Sequence, residues 1–187
     1  EYQHILASSL EEFERLSRMI DGLLFLARAD NAKEAIQRVG FDARKEIDAV
    51  RDFYEALAAE QQVEVTCEGN AWLAGDPMLF RRAVSNLLAN ALRHTPAKGT
   101  VRISLGSFAD QTVELRVRDT GRGIAPAHLP RIFDRFYRAD VSRSRSEGGT
   151  GLGLAIARRL VELQGGEIRP VNLPQRGAEF TIAFPSV

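Results

Sequence analysis

Asn86 and Asn90, four residues apart in Asn86-Leu-Leu-Ala-Asn90, leave one face of a helix together. An Asn carbonyl is an oxygen donor of the kind Mg²⁺ takes, and Mg²⁺ keeps several waters and shares phosphate oxygens. Arg93 follows on the same polar face and can bind a phosphate directly, with His94 beside it. Leu87, Leu88 and Leu92 cover the opposite side. Taken alone, the pair serves equally well as two amides that cap or bridge backbone.

A second cluster, Asp119-Thr-Gly-Arg-Gly123, ends a strand in a Gly-x-Gly turn. A carboxylate there can accept from an exocyclic amine, which favours adenine over guanine. Gly121 and Gly123 permit positive φ and close backbone approach. By itself this is an ordinary Asp-Gly turn. The third cluster, Gly149-Thr-Gly-Leu-Gly-Leu154, opens a helix whose N-terminus offers unpaired N–H groups and a positive dipole end to phosphate. No Gly-Lys-Ser/Thr follows, so it is not a Walker loop. No strand leads directly into it, which excludes the dinucleotide fingerprint. Arg135, Arg138, Arg143 and Arg145 lie between the two glycine clusters, as a phosphate-facing lid or as solvated charge, and only Arg138 is assigned to a lid. Phe133 and Phe136, three apart, are expected to anchor that lid. In this order the three clusters specify a nucleotide site that none specifies singly.

The elements that must hold them are legible. Residues 1–30 form a long helix in which Leu6, Leu10, Phe13, Ser17, Ile20, Leu24 and Ala27 repeat as a heptad seam. Leu16, Met19, Leu23 and Leu26 widen that face, which suits a helix bundle and a dimer; packing on its own chain is the alternative. Asp30-Asn-Ala-Lys33 reads as a hinge. Strands are expected at 36–41, 63–67, 72–74, 101–105, 113–117, 167–170 and 179–184. Asp42 caps a helix to about Glu60, and Asp76-Pro77 starts one that runs to about His94 and ends before Pro96. A fourth spans 151–163. The predicted class is α+β, with helices layered on one face of a mixed sheet. The segment from about Arg138 to Gly149 is polar and is expected to be mobile without nucleotide.

Composition narrows the classes further. Lys+Arg and Asp+Glu are 25 each, a balance that does not suggest nucleic-acid binding. The single Cys67 excludes an internal disulfide framework and a multi-cysteine metal site, and reads as a plain strand residue. No apolar run approaches the roughly 20 residues that span a bilayer, and no signal peptide is visible. Glu1 already lies in the helical pattern, so the sequence is expected to be a piece of a longer protein.

Together these residues resemble the catalytic ATP-binding domain of bacterial sensor histidine kinases. Asn86-Leu-Leu-Ala-Asn-Ala-Leu-Arg-His-Thr-Pro96 is similar to that family's N box, and Asp119–Gly123 to its G1 box. Phe133-Asp-Arg-Phe-Tyr137 is similar to the F box and Gly149–Leu154 to the G2 box. Residues 1–30 resemble the second helix of the dimerisation and histidine-phosphotransfer domain. Ser9–Ser17 and Leu24–Asp30 look most like the heavy-metal (copper or silver) sensor branch.

The resemblance implies a two-layer α/β sandwich of the histidine kinase and gyrase type over 33–187, preceded by an incomplete phosphotransfer domain at 1–32. It implies ATP and Mg²⁺, with Asn90 as the metal and catalytic residue and Asn86 assisting. Arg93 and Arg138 would contact phosphates, Asp119 would read adenine, and Tyr137 would close near ribose or base. Gly121, Gly123, Ile124, Thr150, Gly151, Leu152, Gly153 and Leu154 would complete the ATP site. It also implies a homodimer through the helix bundle, a response regulator partner, and a membrane-anchored parent with this part in the cytoplasm. Related ATPases carry a Glu where Asn86 stands. Asn86 cannot act as general base, so hydrolysis is expected to be slow and the phosphoryl group saved for a histidine.

Two departures stand out. The family's phospho-accepting His-Glu/Asp-x-Arg-Thr-Pro pattern does not occur: Ile-Leu-Ala follows His4, and His94 belongs to the N box. The accepting histidine is therefore expected on a helix outside this sequence. Gln164-Gly-Gly stands where His-Gly-Gly is more usual, and is expected to be structural. An ATP-hydrolysing conformational switch and a non-enzymatic dimerisation module are the competing readings.

Overall fold

A computed structural model describes residues 2–31, 38–107, 112–139, 150–174 and 176–185. Its centre is a sheet of β2 (Glu64–Glu68), β4 (Thr100–Ser107), β5 (Thr112–Asp119), β7 (Ala178–Pro185) and β6 (Glu167–Asn172), in that spatial order. The β2–β4 pair is parallel and the others antiparallel. β4 and β5 form the expected hairpin. Strand alternation sends every second side chain to one face. Leu105, Leu115, Ile182 and Ile168 lie in one row across four strands, with Ile103, Val117 and Phe180 in the next, all buried. The other face carries Arg102, Arg116, Arg118, Glu114 and Glu179.

Three helices cover the apolar face: α2 (Ala43–Glu60), α3 (Pro77–His94) and α4 (Gly153–Leu163). Asp42 and Asp76 cap α2 and α3 through their side chains, and Pro77 occupies the first turn of α3, as predicted. α3 buries Phe80, Ala83, Val84, Leu87, Leu88, Ala91 and Leu92, at spacings of three and four. Full burial of one such leucine contributes about 2 kcal/mol. That apolar stripe fixes the rotation of the helix, so Asn86 and Asn90 fall on its opposite side. β1 (Val39–Asp42) and β3 (Trp72–Gly75) pair in a separate two-stranded ribbon. Gln164 is structural, as expected: its buried Oε1 accepts from Asp76 N at 3.1 Å and its Nε2 donates to Leu160 O, joining the end of α4 to the start of α3. Cys67 is a half-buried strand residue whose thiol pKa is pushed up by burial, so it stays a neutral thiol.

α1 (Tyr2–Asn31) is the long N-terminal helix, and it has two apolar faces. The heptad positions Leu10, Phe13, Ile20 and Leu24, with Leu16, stand exposed. Met19, Leu23 and Leu26 do not widen that seam; they pack on the domain's own core with Gly22 and Ala29. Arg159 of α4 donates to the carbonyl of Ala29 at 2.7 Å, near the C-terminal end of α1, where a cation is favoured. The hinge residues 32 and 33 and the start of the predicted strand at 36 lie outside the described residues.

Candidate nucleotide site

One cavity of about 1060 Å³ gathers the three clusters. Asn86, Asn90, Arg93, Asp119, Gly123, Ile124, Tyr137, Arg138, Thr150, Gly151, Gly153 and Leu154 all line it. Two predicted residues sit behind its wall. Leu152 is 1% exposed, with its side chain turned into the core; its contribution is its backbone, as the N-cap of α4. Gly121 acts through close approach: a Cβ there would meet His94 O at 2.4 Å.

Asp119 is 4% exposed. Its Oδ1 accepts from Gly121 N at 2.8 Å and from Ala178 N at 3.3 Å. Both bonds fall on one oxygen, which leaves Oδ2 for the cavity. Burial pushes the carboxyl pKa above the ordinary range, with the two backbone N–H groups and His94 pulling back. An acceptor fixed at the end of a rigid strand, backed by the apolar walls of Ile124 and Phe180, suits an exocyclic amine on a flat ring.

The opposite part of the cavity suits phosphates and a hard cation. Asn86 Nδ2 donates to Arg82 O at 2.8 Å, which turns Oδ1 outward. A Cβ on Gly153 would lie 3.2 Å from that oxygen, so the start of α4 and the amide of Asn86 are immediate neighbours. Leu152, the N-cap of α4, has no polar side chain to cap it, and among the described residues no other side chain does so; the first N–H groups of α4 suit an anion. Asn90 is half-buried on the cavity wall. Among the described residues no group of three or more His, Cys, Asp or Glu could hold a metal. Asn oxygens completed by phosphates fit Mg²⁺, which is bound with substrate rather than in an all-protein cage.

The segment after β5 closes over the cavity. Phe133 anchors it, edge-on to Phe180 at 6.3 Å between centroids. Phe136 does not: its ring is half exposed and its φ is +62°. Its backbone does the anchoring, with Phe136 N donating to Gly151 O at 3.0 Å. Gly151, at φ +72°, must be glycine, because a Cβ would sit 2.8 Å from the Phe136 carbonyl carbon. Tyr137 Oη lies 2.7 Å from His128 Nδ1, and the Arg131 guanidinium covers the Tyr137 ring. Residues 140–149, with Arg143 and Arg145, lie outside the described residues.

Three residues that shape the cavity escaped sequence reasoning. Asn172 clamps Ile124 by accepting from its N–H at 2.8 Å and donating to its carbonyl. Gly177, at φ +97°, lets β7 pass Asp119, whose carbonyl would be 1.9 Å from any Cβ. His128 holds Tyr137. The single local signal was a glycine just before the alternating Phe180, Ile182 and Phe184.

The fold and the cavity define a domain of the ATP-binding class. The family described as histidine kinase-, DNA gyrase B- and HSP90-like ATPases matches residues 75–187, and the chain belongs to it. Sensor proteins and sensor kinases are among the curated relatives that the chain matches. They include Sensor protein IrlS of Burkholderia pseudomallei, 42% identical over all of this chain and 40% of its own length. Sensor histidine kinase CusS of Escherichia coli K12 is 42% identical over all of this chain and 38% of its length. The chain thus spans about two fifths of these relatives. Among solved structures, full-length ShkA in complex with AMPPNP superposes with a TM-score of 0.84 at 27% identity, covering 99% of this chain and 39% of that one. Mycobacterial sensor histidine kinase MprB gives 0.68 at 28%, covering 79% and 97%.

Proposed function

We propose that this chain is the ATP-binding catalytic part of a two-component sensor histidine kinase of the heavy-metal branch. It places the γ-phosphoryl group for transfer to a histidine outside this sequence and onward relay to a response regulator. The observation that carries the reading is the shared cavity: Asp119, anchored through Oδ1 alone, lines it together with Asn86, Asn90 and Gly153 at the start of α4. Asp119 reads adenine, while Ile124, Gly123 and Tyr137 enclose base and ribose. Arg93, Arg138 and the backbone of residues 150–154 hold phosphates. Asn90, with Asn86, holds Mg²⁺, which neutralises phosphate charge when bound. In the transfer the bond from the γ-phosphorus to its bridging oxygen breaks, a bond to an imidazole nitrogen forms, ADP leaves and the imidazole releases a proton.

None of the three histidines serves as acceptor. His4 and His94 lack the surrounding pattern, and His128 is engaged by Tyr137. The exposed heptad face of α1 supports a homodimer in the parent protein. A response regulator partner is supported by ThkA, solved in complex with the response regulator TrrA, whose fold matches with a TM-score of 0.75. No described helix is long and apolar enough to cross a membrane; membrane anchoring is assigned to the parent and this part to its cytoplasmic side.

The rival reading, a hydrolysing switch, needs a base where Asn86 stands, and Asn86 spends its Nδ2 on Arg82 and offers only a weak amide oxygen. With Mg-ATP and no acceptor, steady-state phosphate release by this chain is expected to stay near background. Sustained multiple-turnover release would favour the switch.

A further inference from the structure

We propose that Arg18, on α1, supplies the outermost phosphate contact of this chain's own nucleotide site and makes it prefer a triphosphate over a diphosphate. The proposal rests on the ATP reading above. The cavity does not end at α3 and α4: Arg18, Asp21 and Gly22 of α1 line it together with Arg82, Asn86 and Gly153. α1 is held there at three points along one face. Gly22 lies against α4, where a Cβ would be 3.1 Å from Ile156 Cδ1 and 3.2 Å from Leu152 Cδ1. The Phe25 ring carries the Arg82 guanidinium at 4.3 Å, and Ala29 O accepts from Arg159. Residues 18, 22, 25 and 29 follow the spacing of three and four that keeps side chains on one face. Arg18 therefore sits one turn, about 6 Å along the axis, before Gly22 on the side that faces the domain.

The order of groups decides which phosphate it meets. Gly22 touches Leu152, the N-cap of α4; Gly153 follows; and Gly153 adjoins Asn86 Oδ1. With adenine held at Asp119, the phosphate chain runs past Asn90 and Asn86 toward α1. Arg18 and Arg82 form the rim beyond that amide, and the third phosphate is assigned to it. A guanidinium fork binds phosphate oxygens in pairs, which an ammonium cannot do. Asp21 lies on the same rim, and its negative charge opposes that of the incoming phosphate.

The test is calorimetric titration of the whole chain with Mg-ATP and Mg-ADP at low ionic strength, where an exposed charge is least screened. Arg18→Ala is expected to weaken ATP about tenfold and ADP less than twofold. Arg18→Lys should recover part of the ATP affinity. Asp21→Asn should shift the ATP-to-ADP ratio the other way, about twofold in favour of ATP. Equal losses for both nucleotides in Arg18→Ala, or an unchanged ratio in both Arg18→Lys and Asp21→Asn, would overturn the assignment and leave the ATP reading intact. Failure of the wild-type chain to bind either nucleotide would overturn the ATP reading as well.

Discussion

Asp119→Asn is expected to weaken ATP binding by on the order of 1–3 kcal/mol without loosening the fold. Asn keeps a carbonyl oxygen for the N–H groups of Gly121 and Ala178, so the strand end stays anchored. Its NH₂ then takes the place of Oδ2, the oxygen that those two bonds leave over, and a donor meets the adenine amine. Calorimetry should show this loss, and should show the wild type preferring ATP to GTP; equal binding of the two would sink the role of Asp119. The same variant has a stability signature. Burial raises the Asp119 pKa in the folded state above its unfolded value. The proton is therefore held more tightly by the folded chain, and the contribution of Asp119 to stability is full at low pH. It is lost as pH climbs from the ordinary carboxylate value near 4 through the raised one. At neutral pH the buried charge costs stability, and the Asn variant should be the more stable in urea. That advantage should close below about pH 4. A constant gap across that range would contradict the assignment of the buried charge.

Asn90→Ala is expected to remove the metal-dependent part of nucleotide affinity, about tenfold to a hundredfold. Asn90 is half-buried on the polar side of α3, opposite Leu87, Leu88 and Leu92, so the apolar packing that orients the helix is untouched. Chelation by EDTA should weaken ATP binding by the wild type and leave the variant's residual binding unchanged. If EDTA weakens both alike, Asn90 is not the metal residue.

Much of this site was legible because its parts are local. Asp76-Pro77 set the start of α3, the leucine stripe set its rotation, and two asparagines on the other side followed. Asp119, Gly121 and Gly123 announced themselves as a carboxylate at a strand end before a glycine turn. What escaped depends on contacts between distant segments. Asn172 reaches Ile124 across 48 positions, and Ala178 reaches Asp119 across 59. No short-range pattern encodes either. Leu152 shows the limit of a motif: the glycines around it mark the phosphate turn, but packing of α1 and α4 draws its side chain into the core. α1 shows the same limit for periodicity. The seam Leu10, Phe13, Ile20 and Leu24 is a true repeat, yet Met19, Leu23 and Leu26 on its flank belong to the domain's own core. Hydrophobic spacing gives the existence of a face and not its partner.

The central claim is that this chain binds ATP in order to phosphorylate a histidine it does not itself contain. Positioning of the accepting imidazole in line with the γ-phosphate supplies much of the rate of such a transfer. Incubation with γ-labelled Mg-ATP, alone and with a separate helix bundle that carries the phospho-accepting His helix, tests this directly. The chain alone should take up no label, and the bundle should take up acid-labile, alkali-stable label slowly and in trans. Acid-labile label on His4, His94 or His128 of the chain alone, or a bundle that stays unlabelled while ATP is bound, would contradict it.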